Sequence, residues 1–324
     1  MHIQPSQNNW KGRIDSESDI SSFRYHQKVK LANSFKISNV NSSSKTFGII
    51  GFKCDEGVRR NKGRTGAAEG PDYIRRALAK LPWHLSPQTK LIDTGDIQCK
   101  GNQMERAQEK LGTEVSDLLN KNIFPLILGG GHETFYGHYL GVRHHMGPEA
   151  KLGIINIDAH FDMRPYDVET SSGTMFKQIL DKDSKSSYLV AGIQKQGNTQ
   201  ALFKTAEKYN VNYILEEDLT FDQIEKVKSK IDHFIEKNDF IVLTLCTDVI
   251  GSAYAPGVSA PSPFGLEPKI IRALIRYIIS NSKITSFDIC EVNPSLDEGE
   301  KTVALAASLL NDALTTIDID LDKI

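Results

Sequence analysis

Three residues with metal-binding side chains occur at alternating positions in this chain: Asp158, His160 and Asp162. If the segment is extended, this spacing directs all three side chains to one face of the backbone. Cys246 and Asp248 repeat the two-residue spacing further along the chain. Carboxylate, imidazole and thiolate groups are the usual protein ligands of transition-metal ions. The spacing therefore indicates a metal site.

His132, which follows three glycines at 129–131, brings the number of candidate ligands to six. Six ligands exceed the four that a tetrahedral zinc ion takes. They suit two ions about 3.5–4 Å apart that share bridging ligands and a hydroxide. Segment 158–162 could instead be a turn with an ordinary core histidine. That interpretation is weaker, because burying three such side chains without partners is costly.

Two other catalytic or binding motifs can be weighed against this one. The glycines at 129–131 could cradle a phosphate, but they lack the Gly-x-Gly-x-x-Gly register and a following Lys-Ser/Thr. Nucleotide binding is therefore the weaker alternative. The chain has no Gly-x-Ser-x-Gly elbow, which argues against a serine hydrolase.

Each group of candidate residues follows a short apolar run with the length of a buried strand. These runs, each with the candidate that follows it, are 124–128 before His132, 152–157 before Asp158, 240–245 before Cys246 and 286–290 before Glu291. Such runs alternate with helical patterns from residue 46 onward, which predicts an α/β fold with about eight largely parallel strands. Ligands bind at the carboxyl ends of strands in sheets of this kind, so we expect the candidates to converge there.

The chain divides into two parts by composition. Residues 1–45 are polar and rich in serine and asparagine, and we interpret them as an irregular N-terminal arm with little helix. Residues 46–324 are predicted to form a single catalytic domain, because the strands would build one continuous sheet. The acidic end at 318–322 is predicted to be a solvated tail.

Composition also excludes some classes of protein. With 39 Lys+Arg against 41 Asp+Glu, the chain has a formal charge of −2 and lacks the basic excess of a nucleic-acid-binding protein. No apolar run approaches the ~18 residues of a membrane helix, so we expect no membrane partner. Four widely spaced cysteines without a secretion signal predict a reduced, cytoplasmic compartment.

Three segments resemble the signatures of the ureohydrolases, the superfamily that contains arginase, agmatinase and formimidoylglutamase. They are GGGHE at 129–133, NIDAHFD at 156–162, and Asp248 followed by APGVSAP at 255–261. They occur in the order found in the family, and the resemblance covers roughly residues 46–310. It implies a three-layer α/β/α arginase-like fold around a largely parallel eight-stranded sheet, with two Mn²⁺ per subunit.

Other segments resemble the formimidoylglutamase branch. They are WKGR at 10–13, NKGRTGA at 61–67, Arg164 directly after the second signature, SGTMF at 172–176, and the APGVSAP segment itself. The resemblance implies hydrolysis of N-formimidoyl-L-glutamate, a small-molecule substrate, to L-glutamate and formamide in histidine degradation. It also implies a metal-bridging hydroxide as the nucleophile and a homo-oligomeric protein.

The resemblance further implies a role for each candidate residue. The ligands of the first ion would be His132, Asp158, Asp162 and Cys246, and those of the second Asp158, His160, Cys246 and Asp248. Asp162 would pass the hydroxide proton to the departing amine. Glu291 would bind the amidine-like formimidoyl group.

The implied substrate is a dicarboxylate, so cationic partners are required. Lys62, Arg64 and Arg164 flank the motifs and are the candidates, with a solvated basic loop as the alternative for Lys62 and for Arg64. Asn198 is a further candidate for hydrogen bonding the same end of the substrate. Ser172 stands where arginases and agmatinases carry a histidine, so we expect it in the substrate site but without a histidine's proton-shuttle role.

Cys246 departs from the family pattern, because the third signature usually begins with an aspartate that bridges both ions. A soft sulfur would favour zinc or iron more than an all-oxygen site would. A bridging thiolate, a thiolate on one ion and a protonated thiol all stay open. So do two other functions, namely hydrolysis of another guanidino compound such as agmatine, and binding without catalysis by a metal-compromised relative.

Overall fold

The computed structural model describes residues 2–32, 37 and 45–319. Its strands, in chain order, are β1 (His2–Ile3), β2 (Lys30–Leu31), β3 (Thr46–Lys53), β4 (Lys90–Gln98), β5 (Phe124–Leu128), β6 (Leu152–Ile157), β7 (Ser186–Ile193), β8 (Asn212–Leu215), β9 (Phe240–Cys246) and β10 (Ile284–Cys290). They form one sheet in the order β1-β4-β3-β5-β10-β9-β6-β7-β8, with β2 also on β4. All pairings are parallel except that of β1 with β4.

Helices cover both faces of this sheet. They are α1 (Tyr25–Lys28), α2 (Glu56–Arg60), α3 (Gly70–Leu78), α4 (Met104–Asn120), α5 (Thr134–Met146), α6 (Met175–Lys182), α7 (Gln200–Lys208), α8 (Ile224–Glu236), α9 (Pro268–Ile279) and α10 (Lys301–Ile319). One apolar core lies between the sheet and α3, α8, α9 and α10, and a second lies between the sheet and α4–α7. The architecture is therefore three-layered, as predicted. None of the described helices is long and apolar enough to cross a bilayer.

The central strands show why the chain folds this way. Every residue of β6 is buried, which is the pattern of a parallel strand covered on both sides. Ile154 packs into the core on the α4–α7 side, and Ile155 packs into the opposite core. Helix α9 begins with Pro268 in its first turn and buries Ile271, Leu274 and Ile278 at helical spacing.

Strand β4 is longer than its apolar run predicts. The run at 90–92 predicts three residues, whereas the strand extends to Gln98. Its extra length contains buried Asp93 and Asp96, which form ion pairs of 2.9 and 2.6 Å with the fully buried Arg75. This polar half of the strand lacks the apolar pattern that predicts a strand, because its buried carboxylates are stabilised by Arg75 of α3, a residue distant in the chain.

Part of the predicted N-terminal arm joins the sheet. Strands β1 and β2 pair with β4, so the sheet has two more strands than the predicted eight. The indole N–H of buried Trp10 donates to the Asp93 carboxylate at 2.7 Å. Residues 33–36 and 38–44 of the predicted arm lie outside the described residues, and the boundary at residue 45 stays a prediction.

The predicted solvated tail is wrong at its first residue. Asp318 is buried at the end of α10, where its carboxylate accepts hydrogen bonds from the Ser86 backbone N–H and the Thr89 hydroxyl. Two donors from another segment thus hold this carboxylate out of solvent. Asp320 and Asp322 lie outside the described residues.

The four strands that precede the candidate ligands are neighbours in the middle of the sheet. Their order is β5-β10-β9-β6. Cys290 of β10 lies opposite Cys246 of β9, and Ile157 of β6 lies opposite Leu245 of β9. Because the four strands are parallel, their carboxyl ends deliver the following residues to one edge of the sheet.

Candidate metal centre

The side chains of Asp158, His160 and Asp162 meet at the site, but the backbone of segment 158–162 does not have the predicted extended conformation. Strand β6 ends at Ile157, so the segment is a loop and not an extended strand with alternating side chains. The His160 backbone N–H donates to Asp158 Oδ1 at 2.8 Å, and Asp162 has a φ of 48°. A positive φ is uncommon outside glycine and turns the backbone sharply. The loop thereby brings the three side chains together without strand alternation.

A first group of ligand atoms surrounds His132. Its Nδ1 lies 3.0 Å from Asp158 Oδ2 and 3.1 Å from Asp162 Oδ2. Ligand atoms of His132, Asp158 and Cys246 all lie within 4.8 Å of one another. These three side chains are buried, which suits an ion held away from solvent.

A second group surrounds His160. Its Nδ1 lies 3.1 Å from Asp248 Oδ2 and 3.6 Å from Asp158 Oδ1. Asp158 therefore belongs to both groups, with Oδ2 directed at His132 and Oδ1 at His160. We call the six predicted ligands the metal-ligand cluster; they are His132, Asp158, His160, Asp162, Cys246 and Asp248.

The chemistry of this cluster fits divalent cations. Asp248 Oδ1 is buried and has no hydrogen-bond partner among the described residues. Burial and the Asp158 charge raise the pKa of Asp162 to about 6, and burial with several carboxylates raises the pKa of the Cys246 thiol. Buried acidic groups of this kind require positive charge, and two cations would supply it. A metal bound there would also deprotonate the thiol.

Both histidines respond to the carboxylates around them. Burial by itself would lower the pKa of His132 and of His160. Contacts with Asp158 and Asp162 outweigh burial at His132, and contacts with Asp248 and Asp158 do so at His160, so both pKa values are raised.

The cluster opens into a cavity of about 310 Å³. All the predicted site residues line this cavity except Asp158, which is fully buried and contacts both histidines beneath it. The lining residues that were predicted are Lys62, Arg64, His132, His160, Asp162, Arg164, Ser172, Asn198, Cys246, Asp248 and Glu291. The sequence-based site is thus spatially contiguous.

Three exposed cations line this cavity, and we call Lys62, Arg64 and Arg164 the cationic rim. Arg164 is anchored by its backbone N–H, which donates to Gly173 O at 2.8 Å. Its guanidinium makes no hydrogen bond or ion pair with the residues the structure describes, whereas Arg64 donates from Nε to Ser259 O and from Nη2 to Val258 O. Arg164 therefore has the most donors available for a ligand.

Comparison with known proteins identifies the architecture. The arginase family model matches residues 45–315. The chain belongs to the arginase family. Formimidoylglutamase from Geobacillus sp. (strain WCH70) is 56% identical over 97% of this chain and 96% of that protein. Formimidoylglutamase from Lysinibacillus sphaericus (strain C3-41) is 50% identical over 98% of each chain.

Solved structures of the arginase family agree with the fold. The crystal structure of formimidoylglutamase from Bacillus subtilis matches with a TM-score of 0.79 and 26% identity, over 94% of this chain and 96% of that one. Trypanosoma cruzi formiminoglutamase with two Mn²⁺ matches with a TM-score of 0.75 and 23% identity, over 89% and 98%. The predicted arginase-like fold is confirmed.

Glu291 and Asn198 of this arginase-family chain make contacts that refine their predicted roles. Glu291 has a φ of 68°, and its Oε1 accepts the His132 backbone N–H at 2.8 Å. The Asn198 amide donates to Ala159 O and Gln194 O and accepts from Phe161 N–H. These three bonds favour a role for Asn198 in positioning the 158–162 loop, and its substrate contact stays a prediction.

Glu133 is a site neighbour to which the sequence pattern gave no role. It is fully buried, and its Oε1 accepts the Gly57 backbone N–H at 2.9 Å. A Cβ at Gly57 or Gly131 would lie 2.6 or 2.1 Å from its carboxyl group, so both glycines make room for it. Burial raises the pKa of Glu133 to about 8. This carboxyl group joins the His132 loop to α2, which leads into Lys62.

Proposed function

We propose that this member of the arginase family hydrolyses N-formimidoyl-L-glutamate to L-glutamate and formamide with two Mn²⁺ bound in the metal-ligand cluster. Its relatives at 50–56% identity over nearly their full length are formimidoylglutamases. The observation that carries the proposal is one cavity lined both by members of two ligand groups that share Asp158 and by Arg164, whose guanidinium has no partner among the described residues.

The ligand groups suggest how the ions are held. We assign the first ion to His132, Asp158, Asp162 and Cys246, and the second to Asp158, His160, Cys246 and Asp248. Two bound Mn²⁺ would act as Lewis acids that lower the pKa of a shared water and so supply hydroxide at neutral pH. The position of Cys246 in the first group supports its role as a thiolate ligand.

Protein groups around the cluster would carry the remaining chemistry. In the reaction, a water oxygen bonds to the formimidoyl carbon, the bond from that carbon to the glutamate nitrogen breaks, and this nitrogen gains a proton. Asp162, whose Oδ2 lies in the cluster and which lines the cavity, would relay that proton as a general acid–base. Glu291 accepts the His132 N–H with one oxygen, and its other oxygen would hold the cationic formimidoyl nitrogen.

The glutamate part of the substrate would bind at the cationic rim. Arg164 offers a planar guanidinium that is unpaired among the described residues, which suits a bidentate carboxylate contact. Arg64 already holds the 258–259 backbone, so we assign it a weaker, charge-based contact and Lys62 the most peripheral one. Ser172 is buried in the cavity wall and would contribute a hydroxyl donor.

A joint measurement of metal content and products tests this proposal. The protein is purified anaerobically, loaded with Mn²⁺ and assayed for release of glutamate and formamide. We expect two Mn²⁺ per chain and turnover of N-formimidoyl-L-glutamate. Fewer than two ions without turnover would contradict the proposal and favour a metal-compromised binding protein.

A substrate panel separates the proposal from its relatives' other reactions. N-formimidoyl-γ-aminobutyrate lacks one carboxylate, so we expect it to be a poor substrate. One cation of the rim would be desolvated without a carboxylate partner. Agmatine should release no urea, because its cation would meet the cationic rim. Equal efficiency with the γ-aminobutyrate compound would overturn the two-carboxylate assignment.

We further propose a cytoplasmic homo-oligomer that has no nucleic-acid or membrane partner. All four cysteines are free thiols, which suits a reducing compartment. The near-neutral charge balance gives no electrostatic basis for binding nucleic acid. We also propose residues 46–324 as one ureohydrolase domain, a division supported by the family match over 45–315.

A further inference from the structure

A chain of hydrogen-bonding side chains runs beneath the metal-ligand cluster, away from the cavity. His132 Nε2 lies 3.0 Å from Thr244 Oγ1, and Thr244 Oγ1 lies 2.6 Å from Asp288 Oδ1. His138 connects the other Asp288 oxygen, at 2.5 Å from Nδ1, to Ser286 Oγ, at 2.6 Å from Nε2. All five residues are buried, so solvent does not compete for these bonds.

The backbone registers explain why these groups meet. Thr244 and Asp288 lie opposite each other on the paired strands β9 and β10, two residues before Cys246 and Cys290. Residues two apart on a strand share a face, so Thr244 lies on the same side as Cys246. His138 reaches this point from α5, which begins two residues after His132. The network is therefore built into the elements that carry the metal ligands.

The bonds have a definite direction. Asp288 accepts from Thr244, from the Cys290 thiol at 3.1 Å and from His138, as expected of a carboxylate. The single hydroxyl proton of Thr244 is donated to Asp288, so the Thr244 oxygen accepts a hydrogen bond from His132 Nε2–H. Nε2 of His132 must then carry hydrogen, which leaves Nδ1, the atom facing Asp158 and Asp162, as the nitrogen for a metal.

We propose that Thr244 and Asp288 are positioning residues that hold His132 in the orientation and tautomer needed to bind the first ion, with His138 fixing Asp288. This inference rests on the metal centre of the proposed function. Outer groups that hold a ligating imidazole are a general determinant of metal affinity. The effect of the network should therefore fall on the His132 ion and much less on the ion at His160.

A different interpretation would be a separate ion between His132, Asp288 and Cys290, whose ligand atoms lie within 4.8 Å of one another. The Thr244 hydroxyl bridges His132 and Asp288 at hydrogen-bond distances, so these two groups already have a partner. The Cys290 thiol likewise donates to Asp288. The contacts are those of a completed hydrogen-bond network.

The test compares three threonine substitutions. Thr244→Val removes the hydroxyl but keeps the shape, Thr244→Ser restores a hydroxyl, and Thr94→Val is the matched control. Thr94 is equally buried in β4, and its hydroxyl donates to Ile49 O, outside the cluster. Equilibrium dialysis with Mn²⁺ measures the affinity of each site, and thermal melts of the metal-free proteins show whether each variant is folded.

We expect Thr244→Val to weaken one of the two Mn²⁺ sites by about 10- to 100-fold and to leave the other nearly unchanged. Thr244→Ser should recover most of that loss, and Thr94→Val should bind both ions like the parent. Equal affinities in folded Thr244→Val and parent protein would overturn the inference. If Thr244→Val does not fold, Thr244→Ser and Asp288→Asn are compared instead. The inference then requires that Thr244→Ser binds Mn²⁺ nearly like the parent and that Asp288→Asn weakens the first site. Any other result overturns it. If the parent protein itself binds no Mn²⁺, the proposed function fails instead.

Discussion

The metal-ligand cluster and the cationic rim face the same cavity but are built in opposite ways. The cluster lies at strand ends. Asp158 is fully buried there, and its two carboxylate oxygens contact His132 and His160 respectively. The rim lies on exposed loops. Among the described residues, the Arg164 side chain makes no hydrogen bond or ion pair, whereas contacts of this kind hold the cluster in place. The comparison indicates that the fold preorganises the proposed metal site, while the proposed selection of the substrate would depend on a few loop cations.

This contrast predicts its largest effect at Asp158. Asp158→Asn removes the charge shared by both ligand groups, so we expect loss of both ions. The several kcal/mol that metal ions supply to hydrolysis correspond to a fall in kcat/KM of about 10³-fold. Metal analysis and kinetics on one preparation measure both effects.

Asp93→Asn is the matched control for that substitution. Asp93 is an equally buried carboxylate, but it belongs to β4 and pairs with Arg75. It should lose stability while retaining two ions. A folded Asp158→Asn protein that still binds two ions would show that the two groups do not depend on a shared ligand.

The sequence was sufficient for the cluster because strand and ligand are adjacent in the chain. Apolar runs end directly before Asp158, Cys246 and Glu291 and three glycines before His132, and the parallel pairing of the strands brings these residues to one edge of the sheet. It was wrong about the conformation of 158–162, because the backbone of a loop does not follow from its residue types. The left-handed φ of Asp162 is set by the surroundings.

Polar groups inside the layers were harder to foresee. Thr244 and Asp288 each lie within an otherwise apolar strand, and their contact depends on a pairing register that only the folded sheet shows. The same holds for the polar half of β4, where Asp93 forms an ion pair with Arg75 of a different element. Partners distant in the chain leave no local signal.

Removal of Mn²⁺ tests whether the cluster contributes to stability. At free Mn²⁺ about 100 times the dissociation constant, each site should add about 2.7 kcal/mol to the free energy of unfolding. Chemical denaturation with and without a chelator measures this difference. An Arg164→Gln protein should show the same gain, because the rim takes no part in metal binding. A smaller gain in that variant would mean that rim and cluster are coupled.

Arg164→Gln should separate substrate binding from metal binding. A charge-assisted hydrogen bond is worth about 1.5–3 kcal/mol, so kcat/KM should fall by about 10- to 100-fold, mainly through KM. The Mn²⁺ content should stay at the parental value. Arg106→Gln, at an exposed arginine of α4, is the control. A lower kcat with unchanged KM would move Arg164 from binding the ground state to stabilising the transition state.

Lys62 should give the smallest effect and decide between a substrate contact and a solvated basic loop. An exposed charge pair is worth about 0.2–1 kcal/mol, so Lys62→Gln should lower kcat/KM at most about fivefold, with recovery in Lys62→Arg. Lys62 has a φ of 62°, so a backbone effect must be separated from a charge effect. Glutamine and arginine would both have to adopt this positive φ, so a difference between the two variants reports on the side chain and its charge. Equal activity of both variants with the parent, and with the α8 surface control Lys226→Gln, would assign Lys62 to the solvated loop and restrict the rim to its two arginines.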